Sequence, residues 1–385
     1  MQTDFRREPL KATRSGPLVE LPFHPHLAPM SVPGSTSSAT ALARLARIGR
    51  TPLATVPTPL HPAPALAAHL GTGVQISIKA DDCTGLGLGG NKVRKLEYEL
   101  DPARLHGVTH LVTAGGPHSN HCRVTAAAAA RLGLGCTLVV NGEPEDPGRG
   151  NALLHRLLGA RIVTVRDRED RDRAMEEEVR RIGAAGGKAL AVPIGASTAR
   201  GAFGYVHAVA EVRDQAGSDG EAPWIFTSSS SGGTLAGLIL GCAIFDWRAR
   251  LVAVSADEPA AWIRGTALRL AMAAAHRLEP DPGAPSGNPH GHGTSGPGAG
   301  LANRVRQVAE DAIVTDDLVG AGYGIATREG QEATRLFGTH TGVILDPVYT
   351  AKAAAAMIAW LREGRVPAGD NAVFLHTGGH PALFR

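Results

Sequence analysis

Three short stretches of this chain carry residue types that could do chemistry together. The first is a glycine run, Gly85-Leu86-Gly87-Leu88-Gly89-Gly90, followed by Asn91, Lys92, Val93, Arg94, Lys95 and Leu96. It formally satisfies a dinucleotide-binding glycine pattern, but the acidic residue needed about twenty positions on is missing, and His110 stands there instead. A phosphate-clamping P-loop fails too. Asn91 separates the last glycine from Lys92, and Val93 replaces the hydroxyl residue that would hold magnesium. Lys92 therefore reads as an amine nucleophile at a helix start, with Arg94 and Lys95 as cationic neighbours that push it toward its neutral form. The plain alternative is a solvated lysine.

The second stretch, Gly115-Gly116-Pro117-His118-Ser119-Asn120-His121, leads into the alanine run 126–130. Free amides at a helix start suit an anion such as a carboxylate, with Ser119 and Asn120 adding side-chain hydrogen bonds; either residue would equally serve as an N-cap. A metal site built from His118, His121 and Cys122 lacks a fourth ligand at a workable spacing, so no metal is expected. The third stretch, Ser228 to Thr234, is four serines followed by Gly232, Gly233 and Thr234. Hydroxyls and amides with no lysine beside them fit a phosphate that stays bound rather than one being transferred.

The elements that must position these stretches alternate. Apolar runs of strand length expected at 74–79, 110–114, 136–140, 161–165, 189–193, 224–227, 251–255, 343–347 and 373–376 are interleaved with helical stretches. Helices are expected to start at 92, 120, 151, 171, 201, 235 and 350. This is the pattern of βα units around mostly parallel sheets, and it puts two of the three stretches at strand-to-helix turns. In the segment 281–300, 11 of 20 residues are Gly or Pro, which marks a poorly packed insertion (280–300) whose His290 and His292 are solvated. Residues 1–43, proline-containing and polar, are expected to be a flexible extension outside the fold.

With 385 residues, 43% of them hydrophobic, the chain has material for two lobes. Its 39 basic and 36 acidic residues are scattered, so no basic stripe points to nucleic acid. No apolar stretch reads as a secretory leader or membrane span. Cys83, Cys122, Cys136 and Cys242 show no CxxC spacing, which suits reduced thiols in the cytoplasm.

Taken in order, the three stretches resemble the fold type II pyridoxal-phosphate enzymes, the tryptophan synthase β-like group, and within it the branch of D-cysteine desulfhydrase and 1-aminocyclopropane-1-carboxylate (ACC) deaminase. Pro193-Ile-Gly-Ala-Ser197, Leu345-Asp-Pro-Val-Tyr-Thr350 with Lys352, and His376-Thr-Gly-Gly379 with Pro381 to Phe384 extend the resemblance to the C-terminus. It implies an α/β, two-lobed fold of mostly parallel sheets with helices on both faces. A large cofactor-binding domain would comprise 44–95 and 205–385, and a small domain 96–204. It further implies pyridoxal 5'-phosphate as cofactor, a small amino-acid substrate and a homodimer.

By the same resemblance, Lys92 carries the cofactor and shuttles the Cα proton. Asn91, Lys95 and Asn120 surround the cofactor; Ser229, Ser230, Ser231, Gly232, Gly233 and Thr234 hold its phosphate; Thr377 partners the ring nitrogen. Ser119, Asn120 and His121 meet the substrate carboxylate, while Tyr323 and Tyr349 line the substrate side. The reaction implied is β-elimination from D-cysteine or a cysteine-like amino acid, through an aminoacrylate that hydrolyses to pyruvate and ammonia. ACC deaminases typically have Glu after the Tyr of the Asp-Pro-Val-Tyr motif, whereas this chain has Thr350, which disfavours cyclopropane opening. The alternatives are ACC deamination, an L-cysteate sulfo-lyase, β-replacement with an added nucleophile, a catalytically silent binding protein that keeps the fold and, remotely, a nicotinamide oxidoreductase.

Overall fold

Every strand that carries a candidate site residue at its C-terminal end is buried on both faces, which is why the sequence shows unbroken apolar runs there rather than alternation. The computed structural model describes residues 36–384 apart from 117, 143–145, 147, 217–221 and 280–299. The expected insertion at 280–300 thus lies almost wholly outside the described residues, as does the extension up to residue 35.

The described chain opens with α1 (Thr36–Leu45), β1 (Leu60–Pro62), α2 (Pro64–Leu70), β2 (Gln75–Lys79), α3 (Asn91–Glu99) and α4 (Pro102–Leu105). A run of βα units follows: β3 (His110–Gly115), α5 (Asn120–Arg131), β4 (Gly135–Asn141), α6 (Gly150–Leu157), β5 (Arg161–Val165), α7 (Arg171–Ala184), β6 (Ala189–Ala191) and α8 (Ala199–Ala216). Next come β7 (Trp224–Ser229), α9 (Gly233–Phe245), β8 (Arg250–Ser255), α10 (Ala260–Leu278), α11 (Leu301–Asp311), β9 (Ile313–Thr315), α12 (Arg328–Thr341), α13 (Thr350–Arg362) and β10 (Asn371–Leu375).

Two sheets result. One has the order β1-β2-β10-β7-β8-β9, parallel throughout except for the β1–β2 pair; the other, β5-β4-β3-β6, is all parallel. Ile76, Ile78, Phe226, Val252 and Phe374 of the larger sheet pack with Phe337 of α12 and Met357 and Trp360 of α13. The smaller sheet is covered on one side by α3 and α5, through Val93, Leu96, Val124 and Ala128, and on the other by Ala174, Met175 and Ile182 of α7. α9 is apolar all round, and all its residues are buried, as a helix inside the molecule requires.

Three expectations change. The segment 343–347 is not a strand. Asp346 instead turns the chain into α13: its carboxylate accepts from the amides of Val348, Tyr349 and Thr350 at 2.9–3.0 Å, and a strand would leave those bonds unmade. The extension does not run to residue 43, because α1 begins at Thr36 and buries Ala41 and Leu45, with Arg44 donating to the Glu279 carbonyl at 2.7 Å. The expected domain limits at 95/96 and 204/205 pass through the continuous helices α3 and α8. Elements not anticipated are the short edge strands β1 and β9 and the helices α2, α4, α10, α11 and α12.

Candidate active site

Parallel strands deliver their following loops to one edge of a sheet, and here the C-terminal ends of β3, β7, β8 and β10 open onto a cavity of about 590 Å³. Lys92, the second residue of α3, reaches into it. The glycines before it are needed. Gly89 (φ 65°) has the Asp82 carbonyl oxygen where a Cβ would stand, at 1.8 Å, and Gly90 (φ 114°) would bring a Cβ to 3.0 Å from the Thr377 carbonyl oxygen. Thr84 Oγ1 accepts from the Gly90 amide at 2.8 Å, and Arg123 of α5 donates to the carbonyls of Gly87 and Gly89 at 2.5 and 3.2 Å. The loop that presents Lys92 is thus held from both sides.

The Lys92 amine donates to Asn91 Oδ1 at 2.9 Å, and its pKa is lowered to about 8, by burial first and then by the Arg123 guanidinium, with Asp346 opposing. Of the two cations the sequence offered, Lys95 is coupled to Lys92 but Arg94 is not, and the guanidinium that acts on Lys92 is that of Arg123. Arg94 turns away from the cavity, and its guanidinium is matched by Asp81 at 2.8 Å and Glu211 at 2.7 Å, while Lys79 donates to the same Glu211. Asn91 Nδ2 donates to Thr234 Oγ1 at 3.0 Å, tying the start of α3 to the start of α9.

The wall around the N-terminus of α9 is made of hydroxyls. Lys95 donates to Ser197 Oγ at 3.2 Å, and Ser197 and Ser231 share a hydrogen bond of 2.7 Å. Burial, and then Lys92, hold the Lys95 amine well below the usual lysine range. Gly195 and Gly233 keep this wall open: a Cβ on Gly195 would come within 2.6 Å of Ser231 Oγ, and one on Gly233 within 2.4 Å of Ser197 Oγ. Ser229, Ser230, Gly232 and Thr234 complete the lining, and Ser229 Oγ is buried without a hydrogen-bond partner. On the same side Ser228 Oγ and Thr377 Oγ1 lie 2.7 Å apart, joining the ends of β7 and β10.

The opposite wall is the N-terminus of α5. Ser119 is its N-cap and accepts from the Cys122 amide at 3.2 Å, so capping and cavity lining coincide in one residue. Asn120 Oδ1 accepts from Asn151 at 3.3 Å and Arg123 at 3.4 Å, which turns the side chain so that its amide group is left to donate. His121 is fixed by a chain of bonds. Thr113 donates to the Val192 carbonyl, so Nε2 of His121 must be the donor in the 2.8 Å contact with Thr113 Oγ1, and burial keeps the ring neutral. A neutral imidazole with its N–H already committed brings no positive charge to a carboxylate. The donors that this wall offers to an anion include the backbone amides at the start of α5.

Tyr323 and Tyr349 close the cavity, with their phenol oxygens 2.8 Å apart and their rings edge to face. Burial raises both phenol pKa values, so both stay protonated near neutral pH. Thr350 does not reach the cavity, for its hydroxyl donates to Asp346 Oδ1 at 2.7 Å inside the α13 cap. Lining residues that the sequence reading did not single out include Asn141, Arg168, Arg171, Asp257, Glu258, Trp262 and Arg269. Arg168 and Glu258 meet at 2.5 Å across 90 residues of chain, a pairing with no local signal. Ser197, in contrast, stood within a motif already noticed.

Asp82, His376 and His380 form a cluster outside the cavity. His376 already uses Nδ1 to accept from the Gly378 amide at 3.2 Å and Nε2 on the Ile344 carbonyl at 3.0 Å, which leaves it no lone pair for a metal.

The cavity fits pyridoxal phosphate group by group. An aldehyde needs an amine that is readily neutral, and Lys92 supplies it. The phosphate needs amides and hydroxyls around a space that no Cβ fills, as at the start of α9 between Gly195 and Gly233, where Ser229 Oγ lacks a partner. The ring nitrogen needs a hydrogen-bonding group, and the Ser228–Thr377 hydroxyl pair offers one.

Comparison with known proteins gives the same answer. Among curated relatives, the chain is 36% identical over 349 residues to 1-aminocyclopropane-1-carboxylate deaminase of Methylobacterium sp. (strain 4-46), covering 88% of this chain and 97% of that one. It is 34% identical over 349 residues to D-cysteine desulfhydrase of Klebsiella pneumoniae (strain 342), covering 89% and 98%. A crystal structure of an ACC deaminase homologue superposes with a TM-score of 0.74 at 32% identity, over 90% of this chain and 96% of that one. The fold alone is shared with L-serine ammonia-lyase from Rhizomucor miehei, at a TM-score of 0.58, 18% identity and coverage of 84% and 94%. Residues 51–378 match the model of one family, and the chain accordingly belongs to the pyridoxal-phosphate dependent enzymes.

Proposed function

We propose that this enzyme is a β-elimination lyase that acts on D-cysteine or a cysteine-like amino acid and releases pyruvate, ammonia and the leaving group, sulfide in the case of cysteine. The observation that carries the proposal is one cavity in which a lysine amine with pKa near 8 is flanked by the N-terminus of α5 and a protonated phenol pair. The cofactor, when bound, supplies the electron sink for the carbanion at Cα.

In this reading Lys92 holds the cofactor and takes the Cα proton, for which an amine that is neutral in a fair fraction of molecules near pH 8 is suited. Ser119 and the amides of Asn120 and His121 bind the substrate carboxylate. Asn91, Lys95 and Asn120 fix the cofactor, the Ser229 to Thr234 loop holds its phosphate, and Thr377 faces the ring nitrogen. A thiolate leaving from Cβ needs a proton, and Tyr323 or Tyr349, kept protonated by burial, donates it. Thr350 supports a leaving group at Cβ over cyclopropane opening, because its hydroxyl is spent on Asp346 and no carboxylate enters the cavity from that position. Unpaired buried thiols at Cys122, Cys136 and Cys242 support a reducing, cytoplasmic setting, and a homodimer completes the reading.

The test offers D-cysteine, L-cysteine, cysteate and ACC to the purified, pyridoxal-phosphate loaded protein, with keto acid, ammonia and sulfide or sulfite measured. Pyruvate from a cysteine-type substrate is expected, and borohydride reduction should leave the pyridoxyl group on Lys92. Turnover of ACC with none of cysteine or cysteate would overturn the reading. Light scattering decides the dimer.

A further inference from the structure

Lys352 lies in the first turn of α13, three residues after Tyr349, and is fully buried. Such a position would ordinarily take an apolar side chain, since a buried ammonium is costly unless its hydrogens are all received. Here they are: Nζ donates to the carbonyls of Val319 at 2.8 Å, Ala256 at 3.1 Å and Gly322 at 3.2 Å. Three acceptors match the three hydrogens of an ammonium. Among the described residues no carboxylate lies within ion-pair distance of it, so all three hydrogen bonds go to backbone, while Asp257 and Asp346 favour the charge from farther off.

The three carbonyls belong to pieces that matter. Ala256 follows β8 and precedes the cavity residue Asp257. Val319 and Gly322 lie in the segment 316–327, which has no helix or strand and carries Tyr323. That segment is weakly self-supported: its own backbone bonds include Val319 to Asp316 at 3.2 Å and Ile325 to Gly322 at 3.3 Å, and Gly320, Gly322 and Gly324 all sit at positive φ. A chain so rich in glycine does not fix a tyrosine by its own conformation.

We propose that Lys352 is a positioning residue, whose ammonium clamps the Tyr323 segment and the exit of β8 to the first turn of α13 and thereby sets the phenol pair of Tyr323 and Tyr349. The proposal rests on the reading of those phenols as the proton donors of the elimination. Its geometric half stands apart from that reading, because the clamp joins backbone to backbone whatever the substrate.

The experiment compares the loaded wild-type protein with Lys352→Met, Tyr323→Phe and the double variant, by amide hydrogen exchange of peptides covering 316–327 and by pyruvate release from D-cysteine. In Lys352→Met, exchange in 316–327 is expected to rise by about tenfold or more, as three charge-assisted bonds are lost, while the strands keep their protection. Its kcat falls roughly as far as that of Tyr323→Phe, by about 10²-fold, and the double variant falls no further than about twofold below either. Tyr323→Phe alone leaves the exchange of the segment unchanged. If Lys352→Met does not fold, Lys352→Gln, which keeps two donors, takes its place and should show the same pattern to a smaller degree. Unchanged exchange in 316–327 overturns the clamp, and multiplying losses in the double variant overturn the action through Tyr323. If wild type turns over no cysteine, the elimination reading fails and the exchange experiment still decides the clamp.

Discussion

At the scale of single residues, the chemistry turns on how Lys92 is kept from being an ordinary lysine. Burial disfavours its charged form, and Arg123 adds a second penalty from a helix that is distant in sequence. The fraction of free amine rises with pH, so in cofactor-free protein the rate of Lys92 modification by an amine reagent should rise to a midpoint near pH 8, read by peptide mass mapping. Arg123→Gln should move that midpoint upward, because the opposing cation is gone. A midpoint near that of free lysine in the unaltered protein would show that the amine is not depressed. Thr350 gives the complementary lesson. Its identity was legible as a departure from Glu, but that its hydroxyl is consumed by Asp346 could be known only from the turn that Asp346 makes.

At the scale of elements, two constructions hold the site. One is the start of α9, where glycine leaves room that suits an anion. Gly233→Ala would place its Cβ 2.4 Å from Ser197 Oγ and 2.8 Å from Ser197 Cα, so pyridoxal phosphate should bind on the order of tenfold or more weakly, measured by titration of the visible absorption. The other is the buried network that seats α3: Arg94 on Asp81 and Glu211, Lys79 on Glu211, and Tyr205 donating to Asp81 at 2.7 Å. Glu211→Gln leaves two buried cations short of an anion and should cost about 3–5 kcal/mol in denaturant unfolding. Strands and helices that bury one continuous apolar run were legible in the sequence, since β3, β4 and β7, the helices that follow them, and β10 begin within about two residues of where periodicity puts them. The segment 343–347 was not. Its Val-Ile-Leu run has strand composition, but the Asp346 side chain offers the backbone a better set of partners than a sheet edge does.

At the scale of the whole molecule, burial of neutral imidazoles makes stability depend on pH. His207 is pushed down to about 3 by burial first and then by Arg50 and Arg94, and His121 moves in the same direction. A histidine whose folded pKa is depressed contributes its full stability above its unfolded value of about 6.5 and loses it as pH falls toward the folded value. Thermal unfolding should therefore move to lower temperature between pH 7 and pH 5, by the equivalent of about 2 kcal/mol for one such imidazole at pH 5, with a shallower slope in His207→Gln. What the sequence determined by itself was the order of βα units and the three chemical stretches, and the resemblance of its ordered motifs pointed to the family. The first two rest on local facts: apolar period, glycine runs, hydroxyls and amides at helix starts. Only the tertiary structure decided that the stretches share one cavity, that Arg123 and not Arg94 tunes Lys92, that Thr350 is withdrawn, and that Lys352 reaches Val319 and Gly322. Each of these depends on groups that lie far apart in the chain, and the packing of two sheets, rather than any periodicity, brings them within a hydrogen bond of one another.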